Sequence, residues 1–185
     1  MTGLFPQLML DLETLSSEPN APIIQIGAVP FALATGEIGE RLTINVRPDF
    51  SKTPPSLSTV CWWMKQDEAA RLSVARSELG KSPFDACLEF ETFARENCAS
   101  KFELWAMPPE FDCVILANTF RSVGLSLPWA YNKTRDLRTL EALAGSSSAG
   151  RIKADIPHDA GSDAEAQAKT AVMYWRKIMA PGIAA

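Results

Sequence analysis

Seven residues near the N-terminus, Leu8–Met9–Leu10–Asp11–Leu12–Glu13–Thr14, restrict this chain more than any other stretch. They begin as a short apolar run of the kind that forms a buried strand. Two acids then follow at i and i+2, with Leu12 between them. Side chains two apart in a strand share a face. Asp11 and Glu13 therefore project together at the strand's end, and Leu12 points the other way. Two carboxylates that close repel, which raises at least one pKa unless something positive sits between them. A divalent cation is the simplest such partner. The plainer alternative is that the strand has ended and both acids are solvated loop residues. Deciding between the two requires other residues that converge on the same point.

The remaining elements follow from periodicity and breakers. Residues 23–29 form a second strand, and Pro30, with no N–H to donate, is expected at a bulge or an unpaired position. Residues 38–46 form a third strand, with Leu42, Ile44 and Val46 on one face. Short links make these three strands antiparallel neighbours. Ser58 or Thr59 is the expected cap of a short helix through residues 61–64, with another helix over 66–77. The Trp62–Trp63 pair is expected in the core rather than as a binding platform. Residues 83–98 are the clearest amphipathic helix. Its stripe runs through Phe84, Cys87, Leu88, Phe90, Phe93 and Ala94, with Glu91 interrupting. A fourth strand at 102–106 stops at Met107–Pro108–Pro109. A helix then runs from Glu110 or Phe111 to about Val123, with Gly124 as C-cap. Residues 136–144 read as a strand end followed by a helix. The last helix, residues 163–179, is expected to be capped by Ser162 in a capping box with Glu165, and to end at Pro181–Gly182. Strands first, then alternating helices and strands, predict an α/β fold with a mixed sheet in one domain over residues 1–185.

Charge narrows the function. Lys and Arg number 18 against 22 Asp and Glu, a formal net charge of −4. That argues against a protein that coats nucleic acid passively. It leaves room for an enzyme that meets phosphates with its own cations. No apolar run is long enough to span a membrane, and the first residues lack the zones of a secretory signal. A cytoplasmic protein with no membrane partner is expected. Cys61, Cys87, Cys98 and Cys113 form no CxxC pair. Buried free thiols in a reducing compartment are expected rather than a zinc site or disulfides.

Two further acids can join Asp11 and Glu13. Asp112 opens one helix and Asp163 another, and a carboxylate in a first helical turn is electrostatically favoured. Helices that flank a sheet present such residues at its C-terminal rim, where the first strand ends. Oxygen ligands alone suit Mg²⁺ or Mn²⁺ rather than zinc. His158 is the single histidine of the chain. An imidazole, with an ordinary pKa near 6.5, suits a general base at neutral pH. In the plainer reading Asp163 only complements its helix and His158 is a surface residue.

The motifs DLET at 11–14, FDCVIL at 111–116 and HDAGSDAEAQA at 158–168 resemble the three acidic motifs of the DEDD exonucleases. The histidine five residues before the last Asp resembles the DEDDh branch. The chain is most similar to the exonuclease VIII and ribonuclease T-like group, including phage-type members. Supporting stretches are APIIQIGAV at 21–29, CWWMKQDEAAR at 61–71, PW at 128–129 and RDLRTL at 135–140.

The resemblance implies a ribonuclease H-like fold with a mixed sheet of about five strands flanked by helices. It implies Asp11, Glu13, Asp112 and Asp163 as ligands of two Mg²⁺ or Mn²⁺ ions, with Asp11 bridging them. It implies His158 as general base, and Leu12 and Thr14 beside the terminal base and sugar, although Leu12 reads equally as core. The implied activity is 3′-5′ hydrolysis of single-stranded or 3′-overhang DNA or RNA to 5′-mononucleotides, falling below about pH 6. Homodimers are common in the family, with Tyr174 and Trp175 either in the core or at a two-fold interface. Lys133, Arg135 and Arg138 could meet phosphates or be solvated. One departure is Trp105–Ala106–Met107–Pro108–Pro109–Glu110, where relatives carry a glycine-rich stretch. Its two prolines remove two backbone donors. The alternatives are a nucleic-acid-binding module with little turnover and a metal phosphatase acting on small phosphate esters.

Overall fold

A computed structural model describes residues 4–180 of the chain. Six strands form one mixed sheet among them: β1 (Phe5–Thr14), β2 (Ile23–Ala32), β3 (Glu37–Ile38), β4 (Leu42–Asn45), β5 (Cys98–Ala106) and β6 (Thr134–Asp136). The order is β3-β2-β1-β5-β6, with β4 also paired to β2. β1 and β2 are antiparallel, whereas β1–β5 and β5–β6 are parallel. This is the ribonuclease H-like architecture. The helices are α1 (Leu57–Trp63), α2 (Glu68–Ser77), α3 (Pro83–Asn97), α4 (Asp112–Ser122), α5 (Leu137–Leu143) and α6 (Ala160–Met179).

The alternation of β1 divides the core in two. Leu8, Leu10 and Leu12 pack with Phe90 of α3 and Phe120 of α4 on one face. Met9 packs on the other face with Leu137 of α5 and Ala164 and Ala168 of α6. Phe90 and Phe120 are fully buried, so cutting either to Ala costs about 3–5 kcal/mol. Asp11 and Glu13 are in phase with Met9, which puts them beneath α6. Here α6 comes unusually close to the sheet. A Cβ on Gly27 would overlap the Ala160 carbonyl, and one on Gly161 would overlap Thr43 Oγ1. Glycine at both positions seats the first turn of α6 directly on β2 and β4.

Several local expectations are met only in part. Pro30 sits inside β2, in register with Leu8. Its carbonyl accepts from Gly39, so its missing N–H faces the irregular step between β3 and β4 and no ladder donor is lost. That step also splits the expected third strand in two. Ser56, not Ser58 or Thr59, caps α1, accepting from Thr59 N at 3.2 Å. Asp159, not Ser162, caps α6, accepting from Ser162 N at 3.0 Å. Asp and Ser cap comparably, but a carboxylate also complements the helix dipole, and Ser162 Oγ is occupied by Ile156 N at 3.0 Å. The buried face of α3 runs through Ala86, Cys87, Phe90 and Ala94, leaving Phe84 and Leu88 exposed. Three of the four cysteines are buried and free, but Cys61 is exposed. Burial pushes the Cys87 and Cys98 thiols up to about 12. Pro181–Gly182 lies outside the described residues. No helix among those residues is long and apolar enough to cross a membrane.

Candidate active site

The two edges of β1 have different lengths of partner. β2 follows β1 from Gln7 to Thr14, but β5 leaves it after the Met9–Trp105 pair. The β5-side edge of residues 10–14 is therefore open, and the N-terminus of α4 fills it. Pro108 and Pro109 lead into this helix through their carbonyls, which accept from Phe111 N at 3.1 Å and Cys113 N at 3.2 Å. Prolines suit such a start, where an N–H would have no helical partner. Asp112 follows in the first turn, 3% exposed, and its Oδ1 accepts from Leu12 N at 3.0 Å.

The third acidic segment comes down on the opposite face. Asp163 lies in the first turn of α6, and its Oδ2 accepts from His158 N at 2.8 Å. His158 holds a left-handed backbone conformation, φ 61°, which costs a non-glycine residue energy and persists only where neighbours fix it. The bond to Asp163 is one such constraint. The Ser73 hydroxyl donates to the His158 carbonyl at 3.0 Å. The imidazole meets Trp62 edge-on with centroids 5.0 Å apart, and Trp63 at 6.0 Å. Trp63 is buried as expected, and its Nε1 donates to Thr14 O at 2.9 Å. Trp62, expected in the core, is 43% exposed beside the cleft.

Asp11, Glu13, Asp112 and Asp163 thus meet at one rim from three elements, with His158 at its side. Their electrostatics are those of unneutralised acids. Burial raises Asp11 well above the carboxylate range, and the charges of Asp112, Glu13 and Asp163 raise it further against a hydrogen bond from Gln167. Burial, then the charges of Asp163, Asp112 and Asp159, push Glu13 up to about 8. Burial lifts Asp112 to about 7, opposed by backbone hydrogen bonds, including that from Leu12, and by the charge of Arg138. Burial also raises Asp163, opposed by the His158 hydrogen bond and imidazole.

Such a group holds a proton or a cation. Glu13, His158 and Asp163 each offer a ligand atom within 4.8 Å of one another. Asp11 and Asp112 stand outside that trio and complete the acidic wall. The carboxylates of this group fit a hard divalent cation. A buried acceptor with no donor, Gln167 Oε1, lies on the side chain that bonds Asp11.

The remaining expected residues have the following surroundings. Leu12 is 5% exposed with its side chain in the core, and the hydroxyl of Thr14 donates to Ser16 O at 2.6 Å. Arg135 pairs with Glu103 at 2.7 Å. Tyr174 is 1% exposed, so it is core. Gln167 and Ser73 were missed. Gln167 is legible as the i+4 neighbour of Asp163 on a helix, whereas nothing local marks Ser73.

The sequence matches a family model described as the 3′-5′ exoribonuclease Rv2179c-like domain over residues 6–175. No curated protein matches it. Among solved structures, E. coli exonuclease I with a dT13 oligonucleotide aligns with TM-score 0.64 and 15% identity, over 92% of this chain and 40% of that one. The zinc-bound E. coli exonuclease I–ssDNA complex aligns with TM-score 0.68 and 15% identity, over 97% and 42%. The nuclease domain of 3′hExo, a DEDDh family member bound to rAMP, gives TM-score 0.58 and 17% identity over 90% and 89%. The chain spans about two fifths of the exonuclease I chains. At these identities the likeness is one of fold.

Proposed function

The chain belongs to the family of 3′-5′ exoribonuclease Rv2179c-like domains, and from that membership we propose that it is a metal-dependent 3′-5′ exonuclease of the DEDDh type. The observation that carries this reading is the gathering of four acids from β1, α4 and α6 at one rim with raised pKa values and an imidazole beside them. A closer kinship to the exonuclease VIII and ribonuclease T-like group rests on the CWWMKQDEAAR and HDAGSDAEAQA stretches. The substrate is a single strand or 3′ overhang, whose terminal nucleotide reaches the cleft without unpairing. The family's description favours RNA, and the exonuclease I complexes make DNA the comparison to run.

Asp11, Glu13, Asp112 and Asp163 would hold two Mg²⁺ or Mn²⁺ ions. When bound, these cations supply the charge that makes water a nucleophile near neutral pH and that offsets charge on the leaving oxygen. His158 takes the proton from the attacking water. The new bond joins that oxygen to phosphorus, and the bond from phosphorus to the penultimate 3′-oxygen breaks. The 3′-oxygen gains a proton from solvent, and the terminal residue departs as a 5′-mononucleotide. The contacts from Ser73 and Asp163 fix the His158 backbone during this transfer.

A 3′-labelled single-stranded oligonucleotide, in RNA and DNA forms, tests the reading. Labelled 5′-mononucleotide should be released in Mg²⁺ or Mn²⁺ and not in EDTA. Binding without release would make the chain a nucleic-acid-binding module. Hydrolysis of a chromogenic phosphate ester with the polymer spared would make it a phosphatase.

A further inference from the structure

Gln167 is the buried polar group on α6 whose hydrogen-bonding capacity is left half used. It is 9% exposed and lies one turn below Asp163 on the same helix face. Its Nε2 donates to Asp11 Oδ1 at 2.7 Å. With Asp11 ionised, as a cation ligand must be, the carboxylate accepts and the amide nitrogen donates, which fixes the amide's orientation. Oε1 must then face away from Asp11 Oδ1, and it is buried with no donor. Thr170, one turn further on, is a contrast: its hydroxyl donates to Ala166 O at 2.8 Å and accepts from Ile152 N at 3.0 Å.

A buried acceptor without a donor is destabilising. Native proteins keep one chiefly where a ligand, ion or ordered water completes it. The surroundings here are otherwise small and apolar: Ala164, Ala168 and Ala171 are buried on the same helix. An apolar side chain would fill the position without leaving an orphan. The amide is therefore matched to the polar cleft, not to the core.

We propose that Gln167 is an outer-shell positioning residue of the cation site: Nε2 pins one oxygen of Asp11 so that the other faces the cation, and Oε1 accepts from a water that enters with that cation. The proposal rests on Asp11 as a cation ligand. Partners of this kind typically change metal affinity by about 10–100-fold when removed.

Manganese titration of the full chain by calorimetry or electron paramagnetic resonance tests it, run alongside thermal melts of the metal-free protein. Gln167→Met keeps the length and removes both polar atoms. It should weaken Mn²⁺ binding by about 10–100-fold and leave the metal-free melting temperature little changed, because the Oε1 orphan is removed while Asp11 Oδ1 loses its donor. Gln167→Ala, a residue at home on this helix face, should weaken binding likewise and guards against a packing fault in the Met variant. Wild-type Mn²⁺ affinity in both variants, with Asp11→Asn losing binding, would overturn the role of Gln167 alone. No Mn²⁺ binding by the wild type would overturn the cation reading beneath it. A lowered metal-free melting temperature with unchanged affinity would make Gln167 purely structural and overturn the proposal.

Discussion

The backbone N–H of Leu12 donates to Asp112 Oδ1 at 3.0 Å, and this bond ties the acid of α4 to the strand that carries Asp11 and Glu13. It exists because β5 parts from β1 beyond Trp105 and leaves the Leu12 amide without a strand partner. A buried N–H must find an acceptor, and Asp112 is that acceptor. The same contact that satisfies the fold brings the second acidic motif to the first.

Asp11→Asn should all but abolish turnover. On the proposed reading Asp11 is a direct cation ligand, so the loss should exceed the roughly 100-fold upper end for outer residues. The metal-free variant should be more stable, because repulsion and the burial of a charge are both relieved. A gain of about 1 kcal/mol would raise the melting temperature by roughly 2–4 °C. Turnover near wild type contradicts the metal assignment.

Stability of the metal-free protein should fall as pH rises. Burial pushes Glu13 up to about 8 and Asp112 to about 7 in the folded state, against ordinary values of 4.5 and 3.8. The folded state then binds more protons than the unfolded chain in that window. Stability is fully present below the unfolded values and is lost as pH rises through the folded ones. Melts at pH 5 and pH 8 should differ in that direction, and less so in Asp11→Asn. Added Mn²⁺ at about 100 times its Kd should restore roughly 2.7 kcal/mol at pH 8. A melting temperature that climbs from pH 5 to pH 8, equally in both proteins, contradicts the carboxylate electrostatics.

His158→Asn should lower kcat by about 10²–10⁴-fold, the usual contribution of a general base, with KM and Mn²⁺ affinity little changed. A parallel fall in Mn²⁺ affinity would move His158 from base to ligand.

Trp62→Ala should lower kcat, because the indole braces the imidazole edge-on at 5.0 Å. Contacts of this kind contribute about 0.5–1.5 kcal/mol, a change of a few-fold to roughly tenfold. Trp62→Phe should recover most of it. The lone histidine gives a single set of imidazole proton resonances, which should move when the neighbouring indole is removed. Unmoved resonances with a raised KM would make Trp62 a substrate contact instead.

The acids were legible because each lies where local rules place it: two in phase on one strand, two in the first turns of helices. The mixed sheet was legible from the order of apolar runs. Pro30 was legible as a position where no ladder donor is needed, but not as one that stays within β2 in register with Leu8. The caps of α1 and α6 were placed two or three residues late because several hydroxyls and acids compete at each start. Trp62 and Trp63 are adjacent in sequence yet differ in burial, and only the packing of α1 against Ile24 and Thr14 decides which is covered. Ser73 and Gln167 act through contacts 85 and 156 residues away, beyond any local pattern.

Anomalous diffraction from crystals soaked with Mn²⁺ and a short 3′-ended strand addresses the four-acid site most directly. Two manganese peaks are expected, one coordinated by Glu13 and Asp163, the other near Asp112, with Asp11 touching both. A map in which the strand is bound but no manganese lies within bonding distance of Asp11 contradicts it.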